Sequence, residues 1–148
     1  MVIIGSDHGG YKLKEDLKGY LNSKNIEVED VGTFNDESCD YPDFAADVAK
    51  KVLEKEEQGI IICGTGLGVC MTANKFKGIR AVLCYDEYTA KMARGHNDAN
   101  ILCMGGRTTK LGNAKKIIDI FLATNANDEE RHKRRIAKIS DIEKNNFK

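Results

Sequence analysis

The sequence predicts an α/β protein, a parallel β-sheet covered by helices on both faces. Two observations carry this. Short apolar runs alternate along the chain with longer segments whose apolar residues recur every three or four positions. One of those runs, "GIIIC" at 59–63, is apolar throughout, as a strand buried on both faces must be.

Taken in order, "VIIGSD" reads as a buried strand stopped at Gly5. Leu13, Leu17, Tyr20 and Leu21 then fall on one helical face. "IEVEDV" alternates apolar and acidic residues, the pattern of a half-exposed edge strand. "GTFNDESCDYPD" is a loop by composition, and Pro42 suits the first turn of a helix striped by Ala45, Val48, Ala49 and Val52. After the central "GIIIC" come a glycine-rich turn and a short helix reaching to Lys75. "IRAVLC" is the fourth strand, "DEYTAKMAR" a helix, and "NILCMG" the fifth strand. Leu111, Ala114, Ile117, Ile118, Phe121 and Leu122 mark another amphipathic helix. There is no internal repeat, so residues 1–148 read as one domain. The segment 128–148 is strongly charged, with Ile136, Ile139 and Ile142 on a thin stripe that suits either its own domain or a partner subunit.

Lys+Arg and Asp+Glu both number 23, which argues against nucleic acid or an anionic membrane as the main partner. No stretch approaches a membrane span, and "MVIIGSDHGG" lacks the basic start of a signal peptide, so the cytoplasm is the expected location. The five cysteines, Cys39, Cys63, Cys70, Cys84 and Cys103, are odd in number and have no C-x-x-C spacing. Neither a zinc site nor a disulfide framework is expected, and most should be buried thiols.

In such a sheet, ligands bind beyond the carboxyl ends of the strands. Those ends carry Ser6-Asp7-His8, Cys63-Gly64-Thr65-Gly66, Tyr85-Asp86 and Gly105-Gly106-Arg107. His8 follows the first strand, and His96, just before the fifth, is expected near the same edge. The three glycines in "GTGLG" would let backbone N–H groups face an anion, phosphate or developing oxyanion, or they form a tight turn with no guest. A dinucleotide is the weaker reading. The spacing is G-x-G-x-G, although Asp86 stands 20 residues past Gly66, where a ribose-binding acid would be. Thiols beside a helix start and open amides ionise more readily than free ones, so Cys63 could be a nucleophile paired with His96, a base, or a buried strand-end residue. Arg131 and Arg135 are four apart and share a helical face, which suits phosphate, or they belong to a solvated charge run.

"GSDHGGYKLK", "DYPDFA", "ICGTGLG", "NKFKGIRA", "RGHNDANIL" and "RHKRR" stand in the order found in ribose-5-phosphate isomerase type B, within a wider family that includes the galactose-6-phosphate isomerase subunits. The chain resembles that family from about Val2 to Lys144. The resemblance implies a three-layer, Rossmann- or flavodoxin-like fold with five parallel strands. It also implies interconversion of ribose 5-phosphate and ribulose 5-phosphate without metal, nucleotide or other cofactor. The active site would lie at the subunit interface of a homodimer or homotetramer.

Residue by residue, Cys63 matches the base that moves a proton between carbons 2 and 1 through a cis-enediol or enediolate. Gly64, Thr65, Gly66, Leu67 and Gly68 match the loop whose amides hold the oxyanion, with Thr65 orienting the thiol or moving a hydroxyl proton. His96 matches the acid that opens the furanose ring, and Asp7 assists it. Asp7 and Asn97 match sugar-hydroxyl contacts, and Tyr41 lines the sugar pocket. His8, Arg107, Arg131 and Arg135 match the phosphate end, some reaching in from the partner chain. His132 and Arg134 receive no role.

Two departures stand out. Glu129 and Glu130 replace a pair of glycines common before the first tail arginine, which predicts weaker phosphate binding. "VCMTANK" differs from the usual small and β-branched residues after the glycines, which bears on pocket shape. The rivals are an isomerase of allose, galactose or tetrose phosphates and a non-catalytic sugar-phosphate sensor. The presence of both Cys63 and His96 in one chain favours the pentose isomerase.

Overall fold

In the computed structural model, which describes residues 1–147, the chain runs β1 (Val2–Ser6), α1 (Tyr11–Ser23), β2 (Val28–Asp30), α2 (Tyr41–Lys55), β3 (Gln58–Cys63), α3 (Leu67–Ala73), β4 (Ala81–Leu83), α4 (Glu87–Gly95), β5 (Ile101–Gly105), α5 (Leu111–Ala123) and α6 (Glu130–Asn146). The five strands form one parallel sheet in the order β2-β1-β3-β5-β4. "GIIIC" is its centre, and "IEVEDV" is an edge, as its alternation predicts. Each strand returns to the sheet through a helix, which is what parallel pairing demands.

Successive strand residues point to opposite faces, so each strand feeds two cores. Ile60, Ile62, Leu102 and Met104 pack under α1, α4 and α5, against Leu17, Leu21, Ala90, Ile117 and Phe121. Ile61, Cys63, Ile101 and Cys103 pack under α2 and α3, against Ala45, Val48, Val52 and Val69. Ile60, Ile61 and Ile62 are all fully buried, and each is worth about 1.5–3 kcal/mol relative to exposure. Cys63 therefore sits at the last position of the central strand, after four buried residues.

A lysine stands inside this structure. Lys14, in "YKLKEDLK", has no exposed side-chain surface. Its Nζ donates to both Asp30 carboxylate oxygens at 2.7 and 2.8 Å and to the Thr33 carbonyl, with the Phe34 ring 5.1 Å away. Lys18 Nζ and the Gly32 amide donate to the same carboxylate. This cluster ties α1 to the end of β2 and to the loop that follows. Burial pushes the Asp30 carboxyl up, but the hydrogen bonds from Lys14, Lys18 and the Gly32 amide outweigh it and hold the group below its ordinary value. The cluster's stability is therefore complete above about pH 4, the ordinary Asp range, and is lost as pH falls through the lowered folded value. Asp30→Asn strands a buried ammonium and should cost about 3–5 kcal/mol, read from urea melts at neutral pH. The deficit of the variant should shrink on acidification, because the parent loses the same interaction.

The tail forms α6, as its spacing allows. Only its beginning is buried, at His132, while Ile139 and Ile142 remain 47% and 64% exposed. The Gly78 amide donates to Glu143 Oε1 at 3.0 Å, which holds the far end against the turn before β4. No described helix is long and apolar enough to cross a membrane.

Candidate active site

The carboxyl edge of the sheet gathers one group of the expected residues. Cys63 ends β3 and is 5% exposed. The Gly66 amide donates to its Sγ at 3.1 Å, the contact a thiolate accepts. The turn after it closes because Gly66 lies at φ +82°, and an added Cβ there would stand 2.6 Å from Leu83 Cδ1 and 2.9 Å from the Met104 carbonyl carbon. The Leu67 amide donates to the exposed Thr65 Oγ1 at 3.3 Å. The amides of Gly68 and Val69, in the first turn of α3, have no acceptor within their own helix.

Four more residues surround this loop. Asp7 is 6% exposed, and its Oδ1 accepts from the Gly10 amide at 3.1 Å. His8 Nδ1 accepts from the Cys39 amide at 3.2 Å, which leaves Nε2 as the donor of the neutral ring. Arg107 is tied to the loop by its amide, which donates to the Gly64 carbonyl at 3.0 Å. Its guanidinium lies across Gly64, with Nη1 3.0 Å from where a Cβ would stand. The Tyr41 ring, 39% exposed, lies against Gly68. A buried thiol, a guanidinium and a phenol ring thus border the glycine turn, with Asp7 and His8 at the end of the adjacent strand.

His96 is not with them, and here the sequence expectation is corrected. Residues that lead into a parallel strand stand at its amino end. His96 caps the end of α4, and Asn97 and Asp98 follow in a turn held by Arg80 Nε at 3.1 and 3.0 Å, just before β4. Cys63 pairs with Gly105 at the far end of β5, whereas the Asn100 carbonyl accepts from Gly59 at the near end. The five residues of β5 separate the two edges by about 13 Å at the usual rise per residue. Within one chain, Cys63 and His96 are not partners.

The amino edge holds a second group instead. The His96 and His132 rings stack with centroids 4.0 Å apart and planes 15° from parallel. His132 is 5% exposed, and its buried Nε2 has no hydrogen-bond partner. Burial pushes His132 below its ordinary value, and the charges of His96, Arg131 and Arg135 add to this. Arg131 and Arg135 are exposed on the first turns of α6, and Arg131 pairs with Glu129. Glu129 thus occupies the arginine that the sequence reading assigns to phosphate. Glu129→Ala should free it and lower KM for a sugar phosphate about two- to fivefold with kcat unchanged, in steady-state assays at low salt. An unchanged KM would mean that the pair dissolves when substrate arrives.

Asp86 is spent elsewhere than on a ribose. It caps α4, accepting from the Thr89 amide and hydroxyl at 2.7 Å each, so the dinucleotide reading loses its acid. Two features escaped the sequence reading. One is His132. The other is Cys70 on α3, whose thiol a hydrogen bond from Cys103 brings down to about 7 against the opposing effect of burial. Cys70 Sγ lies 3.4 Å from the Ala81 carbonyl, against β4 and away from the glycine loop.

This architecture has close counterparts. A family model described as Ribose/Galactose Isomerase matches residues 2–139. Ribose-5-phosphate isomerase B of Escherichia coli is 43% identical over 143 residues, covering 96% of this chain and 95% of that one. The structure of ribose-5-phosphate isomerase B from Clostridium thermocellum superposes with a TM-score of 0.94 at 48% identity, covering 97% of both chains. That of Mycoplasma genitalium, solved with bound ribulose-5-phosphate, gives 0.90 at 46% identity, covering 97% of this chain and 95% of that one. With its five parallel strands and the glycine turn after the central one matched over almost its whole length, the chain belongs to the ribose/galactose isomerase family.

Proposed function

We propose that the protein interconverts D-ribose 5-phosphate and D-ribulose 5-phosphate, and that each active site is built from two chains. The observation that carries this reading is the Cys63 thiol held against the Gly66 amide at the floor of the glycine loop. The separation of that loop from His96 supports the second part, because a chain that keeps its two reacting groups at opposite sheet edges needs a partner to join them. A homodimer, alone or paired into a tetramer, supplies that. The whole chain then acts as one isomerase domain, and the tail 128–148 serves the partner's site.

The chemistry follows from where the groups stand. His96 from the partner protonates the furanose ring oxygen while Asp7 receives the proton of the hydroxyl at carbon 1, and the ring opens to the aldehyde. Asn97, arriving with His96, holds a sugar hydroxyl, and Tyr41 borders the chain of carbons. The Cys63 thiolate takes the proton from carbon 2, and the electron pair moves to form the cis-enediolate. Its charge falls on the carbon 1 oxygen, where the amides from Gly64 through Gly68 hold it. One such donor is worth roughly 3–4 kcal/mol of barrier. Thr65 passes a proton between the two oxygens, and the thiol returns its proton to carbon 1. His8 and Arg107 hold the phosphate from one chain, and Arg131 and Arg135 from the other, where paired guanidinium groups suit its oxygens. The five free cysteines fit a reducing compartment, and we infer the cytosol.

The test is turnover of a panel of sugar phosphates in EDTA. Ribose 5-phosphate should be the preferred substrate by kcat/KM. Preference for a hexose or tetrose phosphate would move the assignment within the family, and binding without turnover would make the protein a sensor.

A further inference from the structure

We propose that His132 is a positioning residue for His96: it is the flat, neutral platform that fixes the plane of the His96 ring and leaves His96 to carry the proton that opens the sugar. This rests on the reading of His96 as the ring-opening acid.

The stack is the first support. With centroids 4.0 Å apart and planes 15° from parallel, the His132 face restricts rotation of the His96 ring about its own bond. Both partners are anchored by backbone. The His96 amide donates to the Met92 carbonyl at 2.9 Å, and the His132 amide to the Glu129 carbonyl at 3.0 Å. The Asn127 amide donates to the Gly95 carbonyl at 2.8 Å, so the approach to α6 is stitched to the end of α4. His96 itself is half-buried and can reach outward, while its platform cannot.

Charge is the second support. Two imidazoles face to face cannot both be cations cheaply. His132 is the buried one, and the charged groups acting on it are His96 from the end of α4 and Arg131 and Arg135 from its own helix. All three are cationic or can become so, and Glu129 is already engaged with Arg131. Each disfavours a proton on His132, so the platform is the member of the pair that is held neutral. A neutral ring beneath His96 places no like charge against it.

The experiment uses full-length protein with His132→Ala, His132→Phe and His132→Arg, and His96→Asn alongside. Two readouts separate the steps. Conversion of ribose 5-phosphate needs ring opening. Wash-in of solvent deuterium at carbon 1 of ribulose 5-phosphate does not, because that ketose has its carbon 5 oxygen phosphorylated and cannot form a furanose. His132→Ala should lower kcat for ribose 5-phosphate about tenfold or more, the scale of a misplaced catalytic group, while KM and deuterium wash-in stay near the parent values. His132→Phe, which keeps a flat neutral ring, should restore most of that loss. His132→Arg, which keeps a plane but adds a charge, should move the alkaline limb of the pH–rate profile to lower pH. The proposal is overturned if His132→Ala keeps its full kcat, if it loses conversion and deuterium wash-in in equal measure, if Phe fails to rescue, or if the Arg variant leaves the profile in place. If His96→Asn converts ribose 5-phosphate normally, the ring-opening reading itself fails, and the inference falls with it.

Discussion

Cys63→Ala should lower kcat for the isomerisation of ribose 5-phosphate by about 10²–10⁴-fold, with the fold intact. The size follows from the step. Carbon 2 of an aldose is a weak acid, and in the proposed mechanism Cys63 takes its proton and returns it to the neighbouring carbon. The amides of the loop would hold the resulting charge, but they move no proton. The structural cost is small, because the change removes a single sulfur from a residue that already packs as a small apolar side chain beside Ile61 and Val69. Circular dichroism and the urea midpoint should therefore stay close to the parent. Wash-in of solvent deuterium into ribulose 5-phosphate must vanish together with net conversion, since both pass through the same proton removal. A variant with normal deuterium exchange would reduce Cys63 to a packed strand-end residue.

His96→Asn separates the two halves of the reaction. It should lower conversion of ribose 5-phosphate about 100-fold, the usual worth of a positioned acid, because nearly all of that sugar enters as a closed ring. Deuterium wash-in at carbon 1 of ribulose 5-phosphate should survive. Loss of both activities would assign His96 to the proton transfer between carbons.

Much of this was legible in the residues. The alternation of "VIIGSD", "GIIIC" and "NILCMG" with helical stripes predicts the parallel sheet, because burial on both faces leaves no other pattern. The glycine turn after Cys63 and the groups at the strand ends were likewise visible. His96 was misplaced for a physical reason. Nearness in sequence to β5 says nothing about which end of β5 is near, and a residue that precedes a parallel strand enters from the amino edge. Lys14 receives no role from the sequence, and its burial depends on Asp30, brought alongside by the pairing of β2 with β1. His132 hides in "DEERHKRR", where every neighbour is charged and exposed. Its burial depends on docking of α6 against the end of α4, a tertiary event without a local signal.

In the proposed dimer, each site takes its base from one chain and its acid from the other. Symmetric dimers make this testable with two inactive parents. Cys63→Ala and His96→Asn chains carrying different affinity tags are co-expressed, and the hybrid is purified over both tags. In a shared-site dimer, the hybrid contains one site with both native groups and one with neither, and it should recover about half the wild-type turnover of ribose 5-phosphate. If instead each site draws both groups from a single chain, the hybrid holds no complete site. It would then be as inactive as either parent, and that result would contradict the account.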